Sequence, residues 1–172
     1  MYYHNITTDD MLNGSGLRVC LWCSGCEHHC DSCQNPQTWN KNSGIEFDLN
    51  AEEELFNELG KDYISGITFT GGDPLHKNNV EKIYELCQKV KRDYPTKTIW
   101  VYTGYLFEDV LNKSECKTED IYRRNIVFLI DVLVDGRFEK EKADVNYPWA
   151  GSTNQRVIDV QKTLKIGKIV LF

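Results

Sequence analysis

Five cysteines lie within fourteen residues, between Cys20 and Cys33. Cysteines this close together bind a metal, form disulfides or carry out redox chemistry rather than fill a core. Two iron–sulfur spacings overlap in this segment. Cys20, Cys23, Cys26 and Cys30 form C-x2-C-x2-C-x3-C, the run of bacterial ferredoxins, whereas Cys26, Cys30 and Cys33 form C-x3-C-x2-C.

The two spacings predict different chemistry. Four cysteines saturate a four-iron cluster, which then only transfers electrons, whereas three cysteines leave one iron open to a substrate. The ferredoxin run is normally followed by proline, and here Cys30 is followed by Asp31. A zinc site is a further alternative, although zinc ribbons place a longer loop between their two cysteine pairs than the three residues available here. The spacing alone leaves these alternatives open.

The composition predicts a folded, cytoplasmic protein with a single domain over residues 1–172. The chain is 41% hydrophobic and 27% charged, which excludes a disordered chain and a small disulfide scaffold. The N-terminus lacks the pattern of a signal peptide, and the longest apolar run, 126–134, is too short to span a membrane. A reducing compartment favours metal-binding cysteines over disulfides. The net charge of −6 argues against sequence-independent binding of nucleic acid.

Alternating strands and helices are predicted to position the cysteines. Runs rich in β-branched and aromatic residues predict strands at 18–22, 64–70, 98–103, 127–134 and 169–172. Capping residues and helical periodicity predict helices that begin at Asn50 and Asn78, and a third helix at 106–111. This alternation implies right-handed βαβ units and a mostly parallel sheet, so the loops that follow the strands meet at one end of it.

A glycine-rich segment, Gly71-Gly72-Asp73-Pro74, follows one of these strands and lies downstream of the three-cysteine triad. In this order the two motifs resemble those of the radical S-adenosylmethionine enzymes. The resemblance implies that Cys26, Cys30 and Cys33 ligate a 4Fe–4S cluster and form the catalytic centre. It also implies that S-adenosylmethionine binds along a second set of residues: Ser32, Cys33, Gln34, Gly71, Gly72 and Asp73.

Glycine suits this role because a residue without Cβ lets the main chain approach a ligand closely. We therefore expect a Gly72→Val side chain to occupy the place of the cofactor and to leave the iron content unchanged. One position departs from the pattern of the superfamily. Many members carry an aromatic residue just before the third cysteine, where this chain has Ser32.

Further segments, in order along the chain, narrow the resemblance to the anaerobic ribonucleoside-triphosphate reductase-activating family: 13–18, 35–39, 71–76, 100–105, 131–138 and 151–156. This resemblance implies an α/β fold with an open, partial (β/α) barrel. It implies reductive cleavage of S-adenosylmethionine to methionine and a 5′-deoxyadenosyl radical, which forms a glycyl radical on the large subunit of the reductase. A flavodoxin-like protein would be the reductant.

Three other functions remain as alternatives. They are an activase of a different glycyl-radical enzyme, a small-molecule radical S-adenosylmethionine enzyme, and a ferredoxin-like electron carrier.

Among the remaining residues, Trp39 is interpreted as a hydrophobic cover over the cysteine loop and Cys87 as a buried apolar residue of a helix. Cys116, in a polar segment, is interpreted as an incidental thiol, and His28 and His29 as solvent-facing loop residues.

Overall fold

The computed structural model describes residues 1–112 and 117–172, so Cys116 lies outside the described residues. The described chain contains seven strands: β1 (Tyr2–Asp10), β2 (Arg18–Cys23), β3 (Ile45–Glu46), β4 (Gly66–Gly71), β5 (Thr98–Tyr102), β6 (Val132–Asp135) and β7 (Arg156–Asp159). It also contains five α-helices: α1 (Leu49–Leu59), α2 (Val80–Asp93), α3 (Phe107–Asn112), α4 (Thr118–Leu129) and α5 (Val160–Ile166). No helix among the described residues is long and apolar enough to cross a membrane.

All seven strands form one sheet, in the order β3-β1-β2-β4-β5-β6-β7. The four central strands, β2, β4, β5 and β6, pair in parallel, and β1, β3 and β7 add antiparallel pairs at the two sides. The predicted α/β class and the parallel centre of the sheet are therefore confirmed. The strand order describes an open sheet with β3 and β7 at its edges, and the pairing of the strands does not by itself define a barrel.

The two faces of the sheet differ because successive side chains of a strand point to opposite sides. One face packs against all five helices in a single buried cluster, to which the strands contribute Val19, Leu21, Ile67, Phe69, Ile99, Val101, Leu133 and Ile158. Among the described residues, the five helices pack on the first face and not on the other one. Its apolar residues form a smaller group of Trp100, Val132, Val134 and Val157, with Tyr102 and Trp149 packed against it.

The helices begin close to their predicted positions. The side chain of Asp48 accepts a hydrogen bond from the Ala51 backbone N–H at 2.9 Å, so Asp48 caps α1 and the predicted cap, Asn50, lies inside the helix. Helix α2 begins one residue later than predicted, after Asn79, and ends before Pro95. The prediction that Cys87 is buried on this helix is confirmed, because none of its surface is exposed.

The predicted strand at 127–134 is wrong in its first half. Residues 127–129 belong to α4, and strand β6 begins only at Val132. The apolar run is the buried side of a helix followed directly by a buried strand, and periodicity does not separate two such short segments. Asp131 marks the boundary, since its carboxylate accepts a hydrogen bond from the Ile99 N–H at 2.8 Å. The predicted strand at 169–172 is also absent, apart from one bridge between Leu171 and Ile158.

Arg18 anchors the segment that leads into β2. The guanidinium is fully buried, and its five N–H donors are used by neutral oxygens of Thr68, Ser15, Thr98 and Ile67. It therefore joins the starts of three parallel strands. Burial lowers the pKa of Arg18 to about 10, which leaves it charged at neutral pH.

Candidate functional site

The loops that follow the parallel strands border one cavity of about 680 Å³. This is the end of the sheet at which ligands bind in open α/β folds. Most of its lining residues come from the ends of β2, β4, β5 and β6 and from the loops that follow them, and they include Cys26, Cys30, Gln34, Gly71, Gly72, Thr103, Gly104 and Phe138. A segment at 145–151 also lines the cavity. The loops therefore meet as the sequence predicts.

The cysteine loop, residues 24–35, presents three half-buried thiols. Cys26, Cys30 and Cys33 are free, and the first two line the cavity. The Cys33 N–H donates to the carbonyl oxygen of Cys30 at 3.2 Å, and the Asn35 N–H donates to Sγ of Cys33 at 3.3 Å. Ser32 is exposed and has a positive φ of 57°, and neither it nor Cys33 lines the cavity.

Cys20 and Cys23 occupy a different environment. Both belong to β2 and are fully buried. Because they are three residues apart on one strand, their side chains point to opposite faces of the sheet. Cys23 belongs to the helix-covered core, whereas hydrogen bonds with Thr7 and Thr68 hold the Cys20 thiol on the other face.

Burial raises the pKa of two of the loop thiols, those of Cys26 and Cys30. It raises the pKa of Cys26 to about 11, and the backbone N–H groups of His28 and His29 act in the opposite direction by hydrogen bonding to its sulfur. Burial also raises the pKa of Cys30, against a hydrogen bond from the Phe138 backbone. Iron binds the thiolate, so metal binding at these residues displaces thiol protons.

The donor set of the cysteine loop fits an iron–sulfur cluster. Within residues 1–112 and 117–172, no three Cys, His, Asp or Glu side chains are grouped to hold one metal ion. A cubane cluster does not need such a group, since each cysteine binds a different iron. The backbone N–H of Asn35, which donates to Sγ of Cys33, matches the hydrogen bonds that tune the sulfur ligands of such clusters.

Gly71 and Gly72 are packed against the cysteine loop. The Gly72 N–H donates to the carbonyl of Cys23 at 2.8 Å, and the Asp73 N–H donates to the carbonyl of Gly25 at 2.7 Å. A Cβ at position 72 would lie 2.6 Å from the Gly25 carbonyl oxygen. The expectation that a Gly72→Val side chain would take the place of the cofactor is therefore wrong, because it would collide with the backbone of the cysteine loop.

Asp73 lies beneath the cavity rather than in its lining. Its side chain is buried, and its carboxylate accepts hydrogen bonds from the Leu75 N–H at 2.8 Å, the Thr103 hydroxyl at 2.9 Å and the Gly104 N–H at 3.2 Å. The Nε2 atom of His28 lies 2.6 Å from the same carboxylate. Asp73 thus joins the loops after β2, β4 and β5.

His28 is the site residue that the sequence did not reveal. It was interpreted as solvent-facing, but its side chain is only 7% exposed and binds Asp73. His29 is exposed, as expected, and its ring lies 4.8 Å from that of Trp39. Spacing alone does not distinguish these two neighbours, because the partner of His28 is 45 residues away.

One wall of the cavity carries a buried polar group without a partner. Among the described residues, the Tyr102 hydroxyl, the Trp39 Nε1 atom and the Asn154 Oδ1 atom have no hydrogen-bond partner. Of these three residues, Tyr102 lines the cavity, whereas Trp39 lies against the cysteine loop, where its backbone carbonyl accepts a hydrogen bond from the Cys26 N–H at 3.1 Å. Buried polar groups of proteins are generally hydrogen-bonded, so an unpaired hydroxyl in a cavity wall indicates a position for a ligand atom.

Comparison with known proteins identifies the family. A model of a 4Fe–4S single cluster domain matches residues 12–158. The chain is 41% identical over 157 residues to the anaerobic ribonucleoside-triphosphate reductase-activating protein of Enterobacteria phage T4, with 91% of this chain and 93% of the relative covered. The chain belongs to this activating-protein family.

Two bacterial members of the activating-protein family match equally well. The protein of the same name from Escherichia coli K12 is 41% identical over 159 residues, which is 91% of this chain and 97% of the relative. The protein of the same name from Haemophilus influenzae is 40% identical over 157 residues, which is 90% of this chain and 96% of the relative. The region matched by the cluster-domain model includes the cysteine loop, the segment at 71–74 and the loops after β5 and β6.

Proposed function

We propose that this chain is an activating enzyme that cleaves S-adenosylmethionine reductively and generates a glycyl radical on anaerobic ribonucleoside-triphosphate reductase. Cys26, Cys30 and Cys33 hold its 4Fe–4S cluster. The observation that carries the proposal is the placement of three free, half-buried thiols on one loop that opens onto a large cavity. The names of the relatives supply the identity of the partner.

The cavity provides space for S-adenosylmethionine beside the cysteine loop. Its volume of about 680 Å³ lies within the range of small-molecule sites in proteins, roughly 300–1,000 Å³. Held by Cys26, Cys30 and Cys33, a reduced cluster would supply the electron for cleavage of the sulfonium–C5′ bond, with methionine and a 5′-deoxyadenosyl radical as the products. The protein binds and orients the substrate: Gln34, Gly71 and Gly72 line the cavity on the cluster side, and Tyr102 presents its unpaired hydroxyl.

The open sheet suits a substrate that is itself a protein segment. We propose that this open sheet corresponds to the partial (β/α) barrel of the radical S-adenosylmethionine enzymes. Its open side would admit the glycine-bearing loop of the reductase. Three apolar residues at the edge of the cavity are largely exposed: Met11 at 72%, Leu12 at 82% and Val145 at 100%.

We propose a flavodoxin-like protein as the electron donor, on the basis of the resemblance to the family.

The alternatives fit less well. A ferredoxin-like carrier needs Cys20 and Cys23 on the same cluster as Cys26 and Cys30, but the first two point to opposite faces of β2 and are fully buried. A small-molecule enzyme of the same superfamily, or an activase of another glycyl-radical enzyme, shares the cavity and the triad. The names of the relatives favour the reductase over both.

The first prediction concerns the products of the reaction. Anaerobically reconstituted protein, reduced with dithionite and given S-adenosylmethionine, should release 5′-deoxyadenosine and methionine in equal amounts, because one bond cleavage produces both. Chromatography of the quenched mixture measures them, and the unreduced protein is the control. A fully loaded cluster that releases no 5′-deoxyadenosine would contradict the enzyme function. Cleavage without a glycyl radical on the anaerobic reductase would contradict only the choice of partner.

A further inference from the structure

We propose that His28 is a positioning residue for the iron–sulfur cluster and acts through its hydrogen bond to Asp73. The inference rests on the proposed function, because it takes Cys26 and Cys30 as cluster ligands. His28 is the middle one of the three residues between these cysteines. Its side chain holds this part of the cysteine loop against the loops that follow β4 and β5.

The burial of His28 distinguishes it from its neighbours. Its side chain is 7% exposed, whereas that of Glu27 is 53% exposed. His29, on the other side, is exposed and has a positive φ of 47°. Of the three residues between the two cysteines, His28 is thus the one whose side chain points into the protein. Its side chain therefore anchors the part of the loop that carries Cys26 and Cys30.

The hydrogen bond that His28 makes is short and buried. Its Nε2 atom lies 2.6 Å from Oδ2 of Asp73, whose side chain is 2% exposed. A carboxylate only accepts hydrogen bonds, so Nε2–H of His28 donates. The carboxylate is itself fixed by the Thr103 hydroxyl and by the Leu75 and Gly104 backbone N–H groups. A hydrogen bond to a charged group is roughly twice as strong as one between neutral groups.

The ring of His28 is also enclosed sterically. A Cβ at position 104 would lie 2.4 Å from a carbon atom of the ring, so the absence of a side chain at Gly104 provides the space that the ring occupies. On another side the ring packs edge-on against Tyr105, with ring centroids 4.6 Å apart. The imidazole is therefore held by packing as well as by its hydrogen bond.

His28 is joined to both proposed ligands through the backbone of the loop. Cys26 lies two residues before it and Cys30 two residues after it, so the side chain that is fixed by Asp73 sets the path of the backbone that carries these ligands. Hydrogen bonds to the sulfur ligands and the groups that orient them tune the reduction potential of iron–sulfur clusters. Loss of the His28–Asp73 bond should therefore change both the retention of the cluster and its electronic properties.

The test compares two substitutions of His28 in the reconstituted, full-length protein. Leucine in His28→Leu fills similar space without a donor, whereas the amide of His28→Gln carries an N–H that can reach Asp73. We expect His28→Leu to lose iron to a chelator about tenfold faster than the wild type, as the loss of a charge-assisted hydrogen bond implies. Its reduced cluster should also show a shifted EPR spectrum, and His28→Gln should restore both properties. His29→Asn, in the same loop but exposed, is the matched control and should behave as the wild type, because asparagine tolerates the positive φ of this position and leaves the backbone N–H in place.

Wild-type iron retention and an unshifted EPR spectrum in His28→Leu would overturn the proposal. If that variant does not fold, Thr103→Val tests the same junction, because it removes the hydroxyl that binds Asp73 and preserves the shape of the side chain. The proposal requires faster iron loss from Thr103→Val, and wild-type retention there would overturn it. Failure of the wild-type chain to hold any cluster would instead contradict the proposed function, so the two failures are distinguishable.

Discussion

Alanine in place of Cys26, Cys30 or Cys33 is expected to abolish the cleavage of S-adenosylmethionine, whereas Cys20→Ala and Cys23→Ala should retain the cluster and most of the activity. Each of the three loop cysteines is the single ligand of one iron in the proposed cluster, so its replacement leaves that iron without its protein ligand. The two strand cysteines are fully buried on opposite faces of β2. Iron and sulfide content of the reconstituted variants, together with the release of 5′-deoxyadenosine, measures the effect.

The strand cysteines also provide the control for this series. Their replacement removes a buried sulfur and should lower the stability of the fold slightly, with no loss of iron per folded chain. Wild-type protein should contain about four irons and four sulfides per chain. The opposite pattern, with Cys20 and Cys23 required and Cys33 dispensable, would favour the ferredoxin spacing, and reconstitution that yields only bound zinc would contradict the cluster itself.

The second large effect is expected from Gly72→Ala, which should lower the iron content severalfold. The added methyl group would lie 2.6 Å from the carbonyl oxygen of Gly25 and 3.1 Å from that of Cys23. Backbone atoms do not yield as a flexible side chain does, so the cysteine loop must move away from the segment at 71–74. Overpacking of this kind costs about 1–3 kcal/mol. Iron analysis after reconstitution, with circular dichroism to confirm folding, measures the outcome.

Gly167→Ala is the matched control for this substitution. Gly167 has a positive φ of 74°, and a Cβ there would meet nothing within 4 Å. A left-handed backbone conformation costs a non-glycine residue roughly 1–2 kcal/mol, so this variant should be somewhat less stable and yet hold a full complement of iron. A Gly72→Ala protein with full iron and only weakened binding of S-adenosylmethionine would contradict this packing. It would instead support the expectation from the sequence that a side chain at position 72 occupies the place of the cofactor.

Much of the site was predictable because it depends on local patterns and on one topological rule. The triad is contiguous in sequence, the segment at 71–74 directly follows a clear strand, and parallel strands bring the loops at their carboxyl ends together. These facts place Cys26, Cys30, Gly71 and Gly72 around one cavity without knowledge of any contact. The burial of Cys87 followed in the same way from helical periodicity.

What the sequence did not predict depends on contacts between distant residues. The pairing of His28 with Asp73 joins two loops 45 residues apart, and no local signal separates His28 from His29. The sequence likewise does not show that a Cβ at position 72 would collide with the cysteine loop, because this depends on how the loop packs against Gly72. Strand β1 was not predicted because its residues are largely polar, and it is stabilised by pairing with β2 and β3 rather than by an apolar pattern.

The most direct test of the account is the EPR spectrum of the dithionite-reduced protein before and after addition of S-adenosylmethionine. Three cysteine ligands leave one iron of a 4Fe–4S cluster open, and a change in the ligand set changes the electronic properties of the cluster. A shifted spectrum is therefore expected on addition of S-adenosylmethionine, in the wild type and in Cys20→Ala and Cys23→Ala alike. An identical spectrum with and without S-adenosylmethionine, from protein with a full cluster, would show that no iron is open and would contradict the account.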